Sequence, residues 1–201
     1  VNFGLLSAGT NYVSVRAWDV AGATTAVNDV FYINKDTTTP YAQNGQAGGD
    51  AAWQKDPGKL YDVDFYDTGG SLLNVLEYSI WSEAGAQGTL RKDWSPIAAP
   101  PAGASSYTSD WPVDFSALEE GQATNYISVR FSDLAGNTST YNDAFYINKD
   151  KTLPSVADNQ FGDDVWRNSS GTVYNVDFAD AGGSLLSGFE VKITTGPAQT
   201  G

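Results

Sequence analysis

Apolar and polar residues alternate along much of the chain. From Leu60 to Asp67, Tyr61, Val63 and Phe65 fall on one face and Asp62, Asp64 and Tyr66 on the other. A period of two over such a run predicts a half-buried antiparallel strand. After a turn at Asp67-Thr68-Gly69-Gly70-Ser71, a second strand is expected with Leu76, Tyr78 and Ile80 inward, because the opposite parity would bury Glu77. The stretch from Ser79 through Gly85, Gly88, Pro96, Pro100, Pro101 and Gly103 is hostile to a helix. It predicts a short strand near Thr89 to Trp94, a long loop, and strand material from Ser106 to Phe115. Tyr126 to Ser132 alternates again with Ile127, Val129 and Phe131 inward. Asp133-Leu134-Ala135-Gly136-Asn137 reads as a hairpin turn, and Phe145 and Ile147 mark a closing strand. This succession of strands predicts a β-sandwich.

The pattern occurs more than once. Asn11 to Pro40 returns as Asn125 to Pro154, and Leu60 to Ile80 returns as Val173 to Ile193, which sets a unit of about 113 residues. In the copies Val13, Val15 and Ala17 correspond to Ile127, Val129 and Phe131. Tyr174, Val176, Phe178, Phe189, Val191 and Ile193 correspond to the inward residues of the first two strands. Boundaries are expected where a strand ends in charged residues and Thr before Pro, at Lys35 to Pro40 and Lys149 to Pro154. Residues 1–38 are then the end of one domain, 39–152 a complete domain and 153–201 the start of the next, so the window begins and ends mid-domain.

Composition narrows the chemistry. There is no Cys and no His, which removes thiol nucleophiles, imidazole bases and the usual zinc and haem ligand sets. The formal net charge is -13, so nucleic acid and anionic membranes are not expected partners. Of the 24 acidic residues 19 are Asp, the residue of turns rather than of helices. No apolar run approaches the ~18 residues of a membrane span, and membrane insertion is not expected.

The succession of a strand, an Asp-x-Ala-Gly-Asn turn, a strand ending Phe-Tyr-Ile-Asn-Lys-Asp and a Thr-rich linker to Pro resembles the tandem immunoglobulin-like domains of large bacterial surface proteins and adhesins. The hairpin is Val15 to Gly22 in one copy, where Ala23 stands in place of Asn, and Val129 to Asn137 in the other. Leu6-Ser7-Ala8-Gly9-Thr10-Asn11-Tyr12 is similar to the stretch that builds a tyrosine corner in fibronectin type III domains. The resemblance implies tandem Ig-like antiparallel sandwiches, structural roles for Tyr12, Tyr126, Gly22 and Gly136, and an extracellular, secreted or cell-surface location.

Carboxylates are the only abundant reactive groups. Asp62 and Asp64 share a strand face at a spacing a glycosidase could use, but Asp62 is Asn175 in the copy, and no catalytic residue is assigned. Calcium takes hard oxygens, and its candidate ligands are Asp36 and Asp150 at the linkers, Asp67 and Asp180 at the Gly-Gly turns, and Asp50 or the pair Asp163 and Asp164 before the recurring Trp. The same residues read equally well as turn formers. Trp53 and Trp166 recur at one repeat position, which favours a packing role. Trp81, Trp94 and Trp111 with Tyr107 form either a sugar-stacking platform or part of a core.

A non-enzymatic structural repeat of a bacterial extracellular protein is therefore expected: a stalk, adhesin body or filament. Its partners are neighbouring repeats in the same chain or head to tail between chains, and a glycan or host surface. The alternatives are a carbohydrate-binding module, and a fibre or surface-layer subunit assembled by strand complementation.

Overall fold

A computed structural model describes residues 1–46, 49–97, 103–121 and 124–197. Among them the chain is nearly all β. The strands are β1 (Gly9–Trp18), β2 (Thr24–Lys35), β3 (Tyr41–Asn44), β4 (Asp50–Gln54), β5 (Leu60–Tyr61), β6 (Val63–Tyr66), β7 (Leu73–Glu83), β8 (Gln87–Pro96), β9 (Ser106–Tyr107), β10 (Trp111–Pro112), β11 (Thr124–Asp133), β12 (Thr138–Lys149), β13 (Ser155–Asp158) and β14 (Val176–Ala179). Single 3-10 turns lie at Phe3–Leu5 and Phe115–Ala117. No helix among the described residues is long and apolar enough to cross a membrane.

The central segment builds a five-stranded sheet in the order β4-β12-β11-β7-β8, a three-stranded sheet β3-β6-β9, and a β5-β10 pair. All pairings are antiparallel except β4 with β12. The inward residues meet as the alternation requires. Val63 and Phe65 face Leu76, Ile80, Ile127, Val129, Phe131, Phe145 and Ile147, all at 2% exposure or less. Phe65 meets Phe131 edge-on at 5.2 Å, and Tyr61 stacks on Phe145 at 4.6 Å. Two apolar sheet faces closed over one core are consistent with a β-sandwich. Glu77 faces outward, where Arg130 on the neighbouring strand bonds it at 2.6 Å.

Two expectations are corrected. The tyrosine corner is an asparagine corner. Asn125 is fully buried, accepts from Glu119 N–H at 2.8 Å, and donates to the carbonyls of Glu119 and Ile147 at 3.1 Å each. Asn11 does the same with Ser7 and Ile33. The cause is parity: Asn125 shares the inward phase of Ile127 and Val129, so Tyr126 points outward and meets Tyr146 instead. Second, the counterpart of β7, residues 186–196, forms no strand, although β13 and β14 pair. The strand material expected from Ser106 to Phe115 is present as two short strands, β9 and β10, before the start of a 3-10 turn.

One device recurs in both copies. Lys149 leaves β12, and its ammonium donates to the carbonyls of Phe115 and Leu118 at 3.2 and 2.9 Å, over the Phe115 ring. Lys35 holds Phe3 and Leu6 at 3.2 and 2.8 Å in the same way. The 3-10 turn is thereby fastened to the last strand, next to the linker.

Two predictions follow from this architecture. Gly136 has φ +90° with open space where a Cβ would go, so Gly136→Val should cost about 1–3 kcal/mol through backbone strain alone. Denaturant melts check it. Hydrogen bonds from Ser116 and Lys92 hold the Asp114 carboxyl down at about 2. Its stabilisation is thus present above the unfolded value of about 3.9 and lost as pH falls through about 2. The stability gap between the wild type and Asp114→Asn should narrow between pH 5 and pH 2; a gap of constant size contradicts the assignment.

Candidate functional site

The linker after β2 carries Asp36 onto the Gly-Gly turn of the next unit. One carboxylate oxygen accepts from Ser71 N–H at 2.9 Å and the other from Thr38 N–H at 2.9 Å. Asp67, at the start of that turn, folds its carboxylate back onto Gly69 N–H at 3.0 Å and Leu72 N–H at 2.7 Å. The hairpin between β11 and β12 arrives from a third direction. Asp133 accepts from the Asn137 backbone N–H at 2.8 Å and from its side-chain amide at 2.7 Å. That amide also donates to the Asp36 carbonyl at 3.3 Å, while the Ser139 hydroxyl donates to the Pro40 carbonyl at 2.6 Å. Oxygens of Asp36, Asp67 and Asp133 lie within 4.8 Å of one another, with Asp67 and Asp133 buried.

The two glycines of the turn have separate reasons. Gly70 takes φ +100°, a conformation that side chains resist. Gly69 has an ordinary φ, but a Cβ there would overlap the Asp36 carboxylate. The first glycine therefore exists for the neighbouring unit's linker, and the second for the turn itself.

The second joint repeats this geometry. Asp150 accepts from Ser184 N–H at 3.0 Å and from Thr152 N–H at 2.8 Å, Asp180 accepts from Gly182 N–H at 3.2 Å, and a Cβ on Gly182 would overlap Asp150. It also has a clasp that the first joint lacks. Glu120 accepts from Lys151 N–H at 2.8 Å and from the Thr152 hydroxyl at 3.2 Å, where the corresponding residue of the first copy is Ala8. At the first joint a cleft of about 450 Å3 remains, bordered by Gly9, Thr10, Asp36, Gly69 and Ala135.

Three carboxylates this close repel one another. Among the described residues no ion pair reaches any of them, and Lys35 is committed to the carbonyls described above. Burial pushes the Asp36 carboxyl up, and the hydrogen bonds from Ser71 and Thr38 outweigh it, leaving it below the usual range. Ser184 has the leading part in lowering Asp150. The donor set is oxygen only, which suits a hard divalent cation.

The other candidates are dispersed. Asp163 is tied to Arg167 at 2.8 Å and to the Tyr174 hydroxyl at 3.1 Å, on an exposed segment away from both joints, and Asp164 is exposed beside it. Trp111 is a core residue at 1% exposure, its indole N–H donating to the Val63 carbonyl at 3.2 Å, and Tyr107 packs against the same core. The aromatic platform is therefore not assembled. Trp94 lies under the Arg130 guanidinium at 4.6 Å, and Trp81 donates to the Ser79 hydroxyl. Trp53 is on the edge strand β4 at 36% exposure and Trp166 is fully exposed.

From the chain alone Asp133 and Asn137 read only as turn chemistry, and the structure adds them to the joint. Asp19 and Asp133 occupy one repeat position, but only the sheet order brings the hairpin to the linker. No family model, characterised protein or solved structure matches the chain.

The joint predicts a selective effect of one methyl group. Gly69→Ala should expel Asp36 and leave the Ser71 amide without its acceptor, so that this amide exchanges with solvent at least tenfold faster. The amides of β11 should be unchanged. Exchange measured by NMR decides it, and equal protection of Ser71 in both proteins contradicts the docking.

Proposed function

We propose that the chain is a stretch of tandem immunoglobulin-like units from a bacterial extracellular or cell-surface protein, acting without catalysis as a stalk, adhesin body or filament. The observation that carries this reading is the recurrence of one joint. At both linkers the last Asp of one unit accepts from the Ser amide of the next unit's Asp-x-Gly-Gly-Ser turn, at 2.9 and 3.0 Å. A contact that recurs in this way converts a repeated fold into length, because each unit is oriented by the one before it. An extended array multiplies whatever contacts its surface makes.

Calcium belongs to this reading as the ion that the joint would hold through Asp36, Asp67 and Asp133. What supports it is an all-oxygen set drawn from three separate segments, with two members buried and no side-chain cation bonded to it among the described residues. Asp150 and Asp180 offer the corresponding pair at the second joint.

An ion that binds only the folded state stabilises it by mass action, by about 2.7 kcal/mol at a concentration 100 times its Kd. Millimolar Ca2+ should therefore raise the melting temperature, a chelator should reverse the rise, and Asp133→Asn should abolish it. A melting temperature indifferent to Ca2+ leaves these carboxylates as turn formers. Solution scattering tests the array itself: a fixed elongated particle supports it, and a particle of variable length contradicts it.

A further inference from the structure

The outward face of the five-stranded sheet carries a cleft of about 360 Å3, bordered by Val75 and Glu77 of β7, Arg130 and Ser132 of β11, and Thr138 of β12. All of these residues belong to the complete unit. β12 runs from the hairpin at the first joint to the linker of the second, so neighbouring units attach at the ends of the strands. The cleft looks sideways from the line of units. Two donors of Arg130, Nε at 3.1 Å and Nη2 at 2.6 Å, end on one oxygen of Glu77, Oε2. Among the described residues Glu77 Oε1 and Arg130 Nη1 have no hydrogen-bond partner. An acceptor and a donor are thus left together on an ion pair whose charges cancel.

Trp94 of β8 lies beside this pair, half-buried, with the Arg130 guanidinium 4.6 Å from its ring centroid. The first copy makes the same stack by different means. Arg16 occupies the repeat position of Arg130, and its guanidinium lies 5.8 Å from the ring of Trp18. Trp18 corresponds to Ser132, however, and not to Trp94. An indole therefore reaches the equivalent arginine from two unrelated positions. Both lie outside the core, so packing does not require it.

We propose that this cleft binds a neutral saccharide, with Glu77 and Arg130 holding two adjacent hydroxyls of a sugar ring and Trp94 meeting the ring itself. Each hydroxyl can donate and accept, so one donates to Glu77 Oε1 while its neighbour accepts from Arg130 Nη1, and both bonds are strengthened by charge. The C–H groups of a pyranose face suit the negative face of an indole. Arg130 already orders that indole, so little side-chain freedom is lost on binding. Ser132 and Thr138 add hydroxyls at the rim. Charge selects the neutral ligand: the ion pair sums to zero, while the net charge of -13 on the chain repels an acidic glycan. Of Trp81, Trp94, Trp111 and Tyr107, only Trp94 takes part. The site uses neither joint carboxylates nor calcium, so it stands or falls apart from the proposed function.

Binding of the 201-residue chain to an array of neutral oligosaccharides of glucose, galactose, mannose and N-acetylglucosamine, in chelator, tests the proposal. At least one of them should be retained, and more tightly than any acidic oligosaccharide. For that sugar, Trp94→Ala and Glu77→Ala should each weaken binding roughly tenfold or more in isothermal titration. Trp53→Ala removes an indole from the opposite edge of the same sheet and should leave binding unchanged. Trp94 and Glu77 lie outside the core, so amide protection of β11 should be the same in every variant. A chain that retains no neutral oligosaccharide, or prefers acidic ones, overturns the proposal. So does binding that survives Trp94→Ala or Glu77→Ala, or that Trp53→Ala weakens as much.

Discussion

A carboxylate that crosses from one unit to accept a backbone N–H of the next is the contact on which the arrangement of this chain depends. Asp36 reaches the Ser71 amide, and Asp150 reaches the Ser184 amide. Each contact asks several things of the surrounding sequence. The strand must end beside the turn, which the Lys35 and Lys149 ammonium groups promote by pinning the 3-10 segment to the last strand one residue before the Asp. The turn must admit the carboxylate, which requires its first glycine, Gly69 or Gly182, to have no side chain. The hairpin must close over the linker, which Asn137 and Ser139 do through the carbonyls of Asp36 and Pro40.

The concentration of negative charge at the joint is a consequence of the same design. Short acidic side chains are the groups best able to satisfy turn amides locally, and three turns converge at one end of the sandwich. The three carboxylates lie within 4.8 Å of one another, and each accepts backbone N–H groups of a turn. The units need not be joined identically, either. Glu120 fastens the second linker, whereas Ala8 leaves a cleft at the first, and Ala23 in the first hairpin lacks the amide with which Asn137 holds the Asp36 carbonyl.

Much of the fold was legible in the chain, for a simple reason. The period-two alternation around Val63, Leu76, Val129 and Phe145 reports burial directly, and every residue assigned inward in the complete unit is in its core. The corner was misread because a motif pointed to Tyr126 while parity pointed to Asn125, and parity decided. An irregular loop has no period from which to read a side chain's facing, so only the structure decides between core and surface for Trp111, which is in the core. At the joint, Asp36 and Asp67 were legible as an acidic pair, but their meeting with Asp133 was not. Those three residues are spread over nearly a hundred positions, and only the sheet order brings the β11–β12 hairpin to the linker. Nor was the reason for two adjacent glycines visible, since one answers to φ and the other to a carboxylate from a different unit.

The chain has no cysteine, so a pair introduced at exposed positions Ala26 and Ala84 can carry spin labels as the only thiols. The distance distribution between them reads the orientation of the first hairpin against the complete unit. If the Asp36 contact sets that orientation, the distribution is narrow in the otherwise unaltered chain and broad in Asp36→Ala. A broad distribution in both, or a narrow one that survives the loss of Asp36, contradicts the account.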